Sequence, residues 1–313
     1  MYKKAYLFFI CMVLFGLNAC STQTLKSTTI TEAIIEQSNI VEDELLDIGI
    51  ALFNPGFDEI DEDQQELTFG DVRMAETYYT ANLLSDTLQS TGNWGVVRVI
   101  PDGLSSSDIA VRGTILQSDG ETMLVHITVH DSTGQVWIDK DYEEIVSRYS
   151  YDNRLQSSRD SFQGLYNRIA NDILYYRQQN LSREDLLNIR TISQIQFARS
   201  FAPQAFDEYL SADRNGIPQV RRLPAQNDPM LSRIQTIRER DYLYVDTMQY
   251  YYANFVRQME DPYTEFRRLS YDEVMRLNQL ERESRRNMIL GVAAIVGGLA
   301  ATQSNSSVAN VAT

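Results

Sequence analysis

IAVRGTILQSDGETMLVHITVHDSTGQVWIDKDYEEI, residues 109–145, decides the fold. Three runs rich in Val, Ile, Thr and aromatic residues, at 109–117, 122–130 and 135–145, are separated by two turn signals. Ser118-Asp119-Gly120 is a tight-hairpin sequence, and Asp131-Ser132-Thr133-Gly134 puts Gly where a type I turn needs a left-handed residue. Strands joined by connections this short must be antiparallel neighbours, so the segment predicts a three-strand meander.

Working upstream, LDIGIALF (46–53) reads as a buried strand stopped by Asn54-Pro55-Gly56. WGVVRVI (94–100) reads as a second strand, ended by Pro101-Asp102-Gly103. Between them Ala75, Tyr78, Tyr79, Leu83, Leu84 and Leu88 recur at three-to-four spacing, predicting a helix capped by Asp71 and closed by Gly92. Downstream, Phe162, Leu165, Ile169, Ile173 and Leu174 predict a second helix over 158–178. The expected fold class is α+β, a small mixed/antiparallel sheet with two helices over 45–179, followed by an all-helical C-terminal region over 180–287.

In that region Ser182-Arg183-Glu184-Asp185 is a capped helix start, and Pro203 opens a short helix. Gly216, Pro218 and Pro224 break the next stretch. A long helix over 229–259 carries the stripe Leu231, Ile234, Val245, Met248, Tyr252, Phe255 and Met259, interrupted by Arg238 and Asp241. Asp261-Pro262 is expected to end it, and Ser270-Tyr271-Asp272-Glu273 to start another through Arg286, giving a packed helical hairpin. The apolar run MILGVAAIVGGLAA (288–301) is about 21 Å long as a helix, against about 30 Å of bilayer hydrocarbon, so it does not span alone. A membrane dip, a self-association helix and a core helix remain open for 288–302, and the polar tail 303–313 reads as disordered.

The 313 residues carry a formal charge of −15, which disfavours nucleic acid as a partner. Two Cys and two His make disulfide frameworks, metal cages and Cys–His catalysis improbable on count alone. His126 and His130 fall on one strand face about 13 Å apart, too far to share a metal ion. The acidic loop 58–66, with Asp61, Asp63 and Glu66, lacks the sixth-position Gly of an EF-hand and reads as a solvated loop. No nucleophile elbow, dinucleotide fingerprint, P-loop or zinc-protease motif is present, so no catalytic residue, metal or cofactor is expected. Tyr242, Tyr244, Tyr250, Tyr251 and Tyr252 crowd the long helix, and Tyr251 cannot share the face of Tyr252. Arg221-Arg222 and Arg282, Arg285 and Arg286 are the local basic clusters, the latter set fitting a helix C-terminus or anionic headgroups.

At the N-terminus, Lys3 and Lys4 precede an apolar run over 5–17 that ends in Leu17-Asn18-Ala19-Cys20 before polar Ser21-Thr22-Gln23. This resembles the lipobox of bacterial lipoproteins. The resemblance implies a signal peptide over 1–19, a lipidated Cys20 beginning the mature chain and, from Ser21, sorting to the outer membrane; the Ser/Thr-rich and then acidic composition of 21–44 reads as a tether over 20–44, with a short helix near 31–40. The element order over 46–178 is similar to the small α+β domain shared by the TolB N-terminal domain, the curli secretion lipoprotein CsgG and the penicillin-binding-protein activator LpoB. IGIALF (48–53), Asp108-Ile109-Ala110-Val111-Arg112-Gly113 and the 129–137 hairpin carry that likeness. No propeller follows, and no further pair of membrane-type strands, so neither a TolB-like second domain nor a CsgG-like pore is expected. The whole chain is similar to proteobacterial outer-membrane lipoproteins. The expected role is a lipid-anchored, periplasm-facing, non-enzymatic scaffold or accessory subunit, held to the membrane through Cys20 and meeting a protein partner or its own copies. A binding module for a small envelope glycan or lipid between the two halves is the alternative, and a hydrolase the third.

Overall fold

Side-chain alternation decides which way the sheet faces. The computed structural model describes residues 30–36, 40–59, 69–100, 107–151, 160–214, 216–223, 225 and 228–305. Strands Ile48–Ala51 (β1), Val97–Ile100 (β2), Ile109–Ser118 (β3), Thr122–Asp131 (β4) and Val136–Ile145 (β5) form one sheet in the order β2-β1-β3-β4-β5. β1 runs parallel to β2 and β3, whereas β3, β4 and β5 form the expected antiparallel meander. Met123, Val125, Ile127 and Val129 of β4 are wholly buried, and the intervening Leu124, His126, Thr128 and His130 face partly outward. β1 lies between two parallel neighbours, and all four of its residues are buried, as a strand covered on both sides requires. The fold class is α+β, a mixed sheet with one helical layer and a long C-terminal helix.

The helical layer is Gly70–Ser90 (α1) and Gln163–Asn180 (α2), packed on the inward side chains of the sheet. α1 starts one residue before the expected cap, with Phe69 at its N-cap and no side-chain cap bond, so Asp71 sits in the first turn instead. Unlike an ordinary surface helix, α1 also buries Arg73, Glu76, Thr77, Thr80, Asn82, Ser85 and Thr87. Thr77, Asn82 and Thr87 donate to the α1 carbonyls of Met74, Tyr78 and Leu83, and Ser118 of β3 donates to Glu76 at 2.7 Å. α2 locks onto β5 through Trp137 stacked on Tyr176, and through Lys140 and Tyr142, which reach Asp172 at 2.7 and 2.9 Å.

Residues 31–36 form no helical turn, contrary to expectation. They lie instead along α1 and α2. Asn167 and Asn171 donate to the carbonyls of Thr31 and Glu32 at 2.7 and 2.9 Å, and the Asn93 amide donates to Ile34 O at 2.8 Å. Ile34 N and Glu36 N donate in turn to Asn171 Oδ1 and Thr91 O, each at 2.8 Å. Backbone groups satisfied by three asparagines have no need of helical partners.

Beyond α2, Arg183–Phe201 (α3) begins with the expected capping box, Ser182 and Asp185 bonding each other's backbone N–H. Pro203–Phe206 (α4) is a single turn. The helical region also holds a small antiparallel pair, Leu210–Ala212 (β6) and Pro218–Val220 (β7), where the sequence shows only breaker residues. The main correction concerns the end of the chain. Asp261-Pro262 does not stop the helix, and no hairpin forms: Pro229–Asn305 (α5) is one helix of 77 residues with Pro262 inside it. An interior proline costs about 3 kcal/mol. Just beyond it Tyr263, Arg267 and Tyr271 are buried against the α+β core, and their docking outweighs that penalty.

The β3–β4 turn receives this helix. Gly120 has φ +82°, and a Cβ there would lie 2.3 Å from the Arg267 carbonyl and 2.8 Å from Tyr271 N. Gly134, with φ +85°, has open space around it. Gly120→Ala therefore combines left-handed strain with a backbone clash, and is expected to destabilise by well over the roughly 1–2 kcal/mol that strain alone brings at Gly134→Ala. Paired urea titrations of the two variants measure the difference.

Candidate functional site

Two features of the molecule bring together groups that the fold alone does not require. The first is a buried polar cluster beneath α5. Arg267 is 2% exposed, and its Nη1 donates to Asp160 Oδ2 at 2.8 Å, with both side chains shielded from solvent. Its Nε and Nη2 have no hydrogen-bond partner among the described residues. The guanidinium instead lies 4.1 Å from the Tyr263 ring centroid, 4.9 Å from Phe162 and 5.3 Å from Tyr79. Burial alone would lower its pKa, but the Asp160 charge and the surrounding tyrosines reverse that, and the net shift is upward. Tyr263 donates to Glu76 at 2.5 Å, Glu76 pairs with Arg73 at 3.0 Å, and Arg73 donates to the Ile115 carbonyl at 3.2 Å. Glu76 of α1 is thus held from two sides, by Tyr263 of α5 and by Ser118 of β3.

The second feature is a cleft of about 300 Å³ where α3 and α5 cross the N-terminal ends of the parallel strands. Asp47 and Asp108 lie at the heads of β1 and β3. Asp47 N donates to Asp108 Oδ2 at 2.9 Å, and Asp108 N donates to the Asp47 carbonyl at 3.0 Å. Asp47 Oδ1 also accepts from Val96 N at 2.8 Å, so this carboxylate ties β1 to the approach of β2. From α3 come Arg190, Gln194 and Phe197, and from α5 Ile234, Arg238 and Tyr242. Arg238 Nε donates to the Tyr242 hydroxyl at 2.7 Å, and its guanidinium faces Phe197 at 5.4 Å. Arg98 stacks on Tyr242 at 4.3 Å and holds Asp246 at 2.7 Å. Burial pushes the Asp108 carboxyl above its usual range, against the lowering effects of the Asp47 N–H, the Ser193 hydroxyl and Arg238. Burial likewise raises Tyr242. With Gln235 and Glu239 of α5 also in the lining, three acids, two guanidinium groups, two amides and two rings can hold a polar ligand with an apolar edge; they offer no nucleophile paired with a base.

Cys20, the candidate lipid-bearing residue, Asp61, Asp63, Glu66 and residues 306–313 lie outside the described residues, whereas 303–305, expected as the start of a disordered tail, continue α5 as helix. His126 and His130 project from the same side of β4, as alternation requires. His126 sits between Asp141 and Asp139 of β5, at 2.7 and 3.0 Å. His130 is bound by Arg112 at 3.2 Å, and burial followed by the Arg112 charge lowers its pKa, favouring the neutral ring. No group of three or more metal-ligating side chains occurs among the described residues. Asp131 is a structural hub: its carboxylate accepts from Thr133 N and Oγ1 and from the Trp137 indole, so the D-S-T-G hairpin is held by its own aspartate. Tyr242 and Tyr252 turn toward the core, whereas Tyr244, Tyr250 and Tyr251 are 56–64% exposed. No helix among the described residues is long and apolar enough to cross a membrane, and α5 continues as helix through 288–301.

Asp47, Asp108, Arg190 and Arg267 carry no local sequence signal for a site. The cleft's one mark in the sequence is Arg238, whose charge breaks the apolar stripe of the long helix.

No protein-family model matches the chain, and no curated protein is similar to it. Among solved structures, protein XCC0632 from Xanthomonas campestris, described by the family model DUF330, is 10% identical. The match covers 49% of this chain and 95% of that one, with a TM-score of 0.30, a likeness too slight to bear on fold or function.

Asp160→Ala leaves a buried guanidinium without its counter-charge and is expected to destabilise by about 3–5 kcal/mol. Adding Arg267→Met should recover most of that loss, as read by chemical denaturation of both variants. At Asp108, a carboxyl raised on folding opposes folding once the pH passes its ordinary value of 3.8. Asn can still accept the Asp47 N–H, so Asp108→Asn should melt higher than wild type at pH 7. That advantage should shrink as the pH falls towards 3.8 and be gone below it. Melting curves across this pH series test the sign.

Proposed function

We propose that the protein is a lipid-anchored envelope lipoprotein, tethered through Cys20 to the outer membrane and facing the periplasm. It works there as a scaffold or accessory subunit of a larger assembly rather than as an enzyme. The observation that carries this reading is a rigidly docked helix whose outer side presents Leu243, Tyr244, Tyr250 and Tyr251, each more than half exposed. Aromatic and leucine side chains standing together in solvent on a fixed element are what a protein interface needs, and a monomer gains nothing from them. The lipobox-like sequence at 17–20 supports the anchor, and the strongly acidic chain argues against nucleic acid as the partner.

The cleft favours a second reading, a module that binds a small polar envelope ligand such as a glycan or a lipid headgroup. Arg238→Ala removes one of its two guanidinium groups and should weaken such a ligand roughly tenfold or more in calorimetric titration. Assembly through α5 should be unaffected by that change.

Cys20→Ala is expected to lose palmitate labelling and to leave the membrane fraction. In-cell cross-linking of the wild-type protein should give a discrete adduct of higher mass. A wild-type product without label, or one that cross-links to nothing, refutes the corresponding half of the proposal.

A further inference from the structure

From the pattern on the outer face of α5 we infer that the protein pairs with a second copy of itself through an antiparallel α5–α5 contact centred on Thr247. The inference rests on the assembly-subunit reading above and names the partner.

At about 100° per residue, a line through Thr247 along α5 gathers side chains lying within about 60° of it. Its middle is apolar and aromatic, with Leu243 and Tyr244 on one side of Thr247 and Tyr250 and Tyr251 on the other. These four are 67, 56, 64 and 62% exposed. Towards the N-terminal end the line carries Arg233 and Arg240, and towards the C-terminal end Asp261; all three are exposed. Thr247 and Gln258 are exposed on the same line, and Asn254 half-buried, giving the apolar centre a polar rim.

This arrangement is complementary to its own reverse. In an antiparallel pair centred on Thr247, Leu243 faces the copy's Tyr251, and Tyr244 faces its Tyr250. Arg233 faces Asp261, and the two-fold axis repeats each pair. A parallel pair would set Arg233, Arg240 and Asp261 each against itself, which like-charge repulsion disfavours. The stripe from Arg233 to Asp261 is about 42 Å long, enough helix for a continuous side-by-side contact. Its opposite side is already occupied by α1 and β2, through Tyr252 and Phe255 on Tyr78 and through Arg98 on Asp246. The outer face is therefore presented on a fixed support, and an isologous contact closes the assembly at two.

Full-length protein purified in detergent tests this by sedimentation equilibrium and by thiol cross-linking. The expected result is a reversible dimer. Thr247→Cys, on the axis, should form a disulfide-linked dimer under mild oxidant, whereas wild type and Arg276→Cys, far along the same helix, should not. Arg233→Glu and Asp261→Arg should each weaken the dimer roughly tenfold at low salt, because the symmetric contact turns two attractions into repulsions. The double variant should restore it. A protein that stays monomeric at every concentration, or a dimer in which Thr247→Cys fails to link, overturns the inference. If in-cell cross-linking still yields an adduct with a different protein, the subunit reading survives without self-pairing. If no adduct forms either, both fall.

Discussion

A single guanidinium, that of Arg267, fixes where the longest element of the molecule lies. In the interior a lone cation is untenable, so its burial requires the carboxylate of Asp160 and the faces of Tyr79, Phe162 and Tyr263 all to be in place. Those partners come from α1, from the entry to α2 and from α5 itself. The cation is thus a condition that three segments must meet together, and it specifies one docking position more sharply than apolar contact would. The same condition explains why α5 runs through Pro262: breaking there would strand Arg267 and the hydroxyl of Tyr263.

The α+β half was legible because its signals are local. Alternation along 109–145 and two glycine-containing turns specify a meander without reference to anything distant, and Ser182-Arg183-Glu184-Asp185 specifies a helix start in four residues. What could not be read depends on partners far apart in the chain. Pro262 reads as a stop by its own chemistry; what overrides it is Asp160, more than a hundred residues away. Residues 31–36 have some helical pattern, yet Asn93, Asn167 and Asn171 offer their backbone a better set of partners. The acids of the cleft were hidden for a related reason. Asp47 and Asp108 look like ordinary strand-flanking residues until parallel pairing sets them side by side and α3 and α5 close over them. Only Arg238, a charge in an apolar stripe, marked the place beforehand.

The sheet is asymmetric in its use. One face is filled by α1 and α2, while the other carries Arg112, His126 and His130 beside Asp139 and Asp141, a polar surface whose ion pairs are mutual. With that face occupied by its own charges, the features suited to recognition are displaced to the flanks: the cleft at the strand heads and the outer side of α5. These two lie on opposite sides of the same helix, so a ligand in the cleft and a partner on α5 would not compete for space.

The pinned segment at 31–36 also sets a leash. An extended chain gains at most about 3.5 Å per residue, so from Cys20 to the first anchored carbonyl at Thr31 no path exceeds roughly 40 Å. With a fatty group on that cysteine, the globular part must hover close to the lipid surface whatever its attitude. The 77-residue helix joined to it measures about 115 Å along its axis. If Cys20 carries the proposed lipid, the short tether would keep the fold near the bilayer while the long helix reaches objects far from the point of attachment.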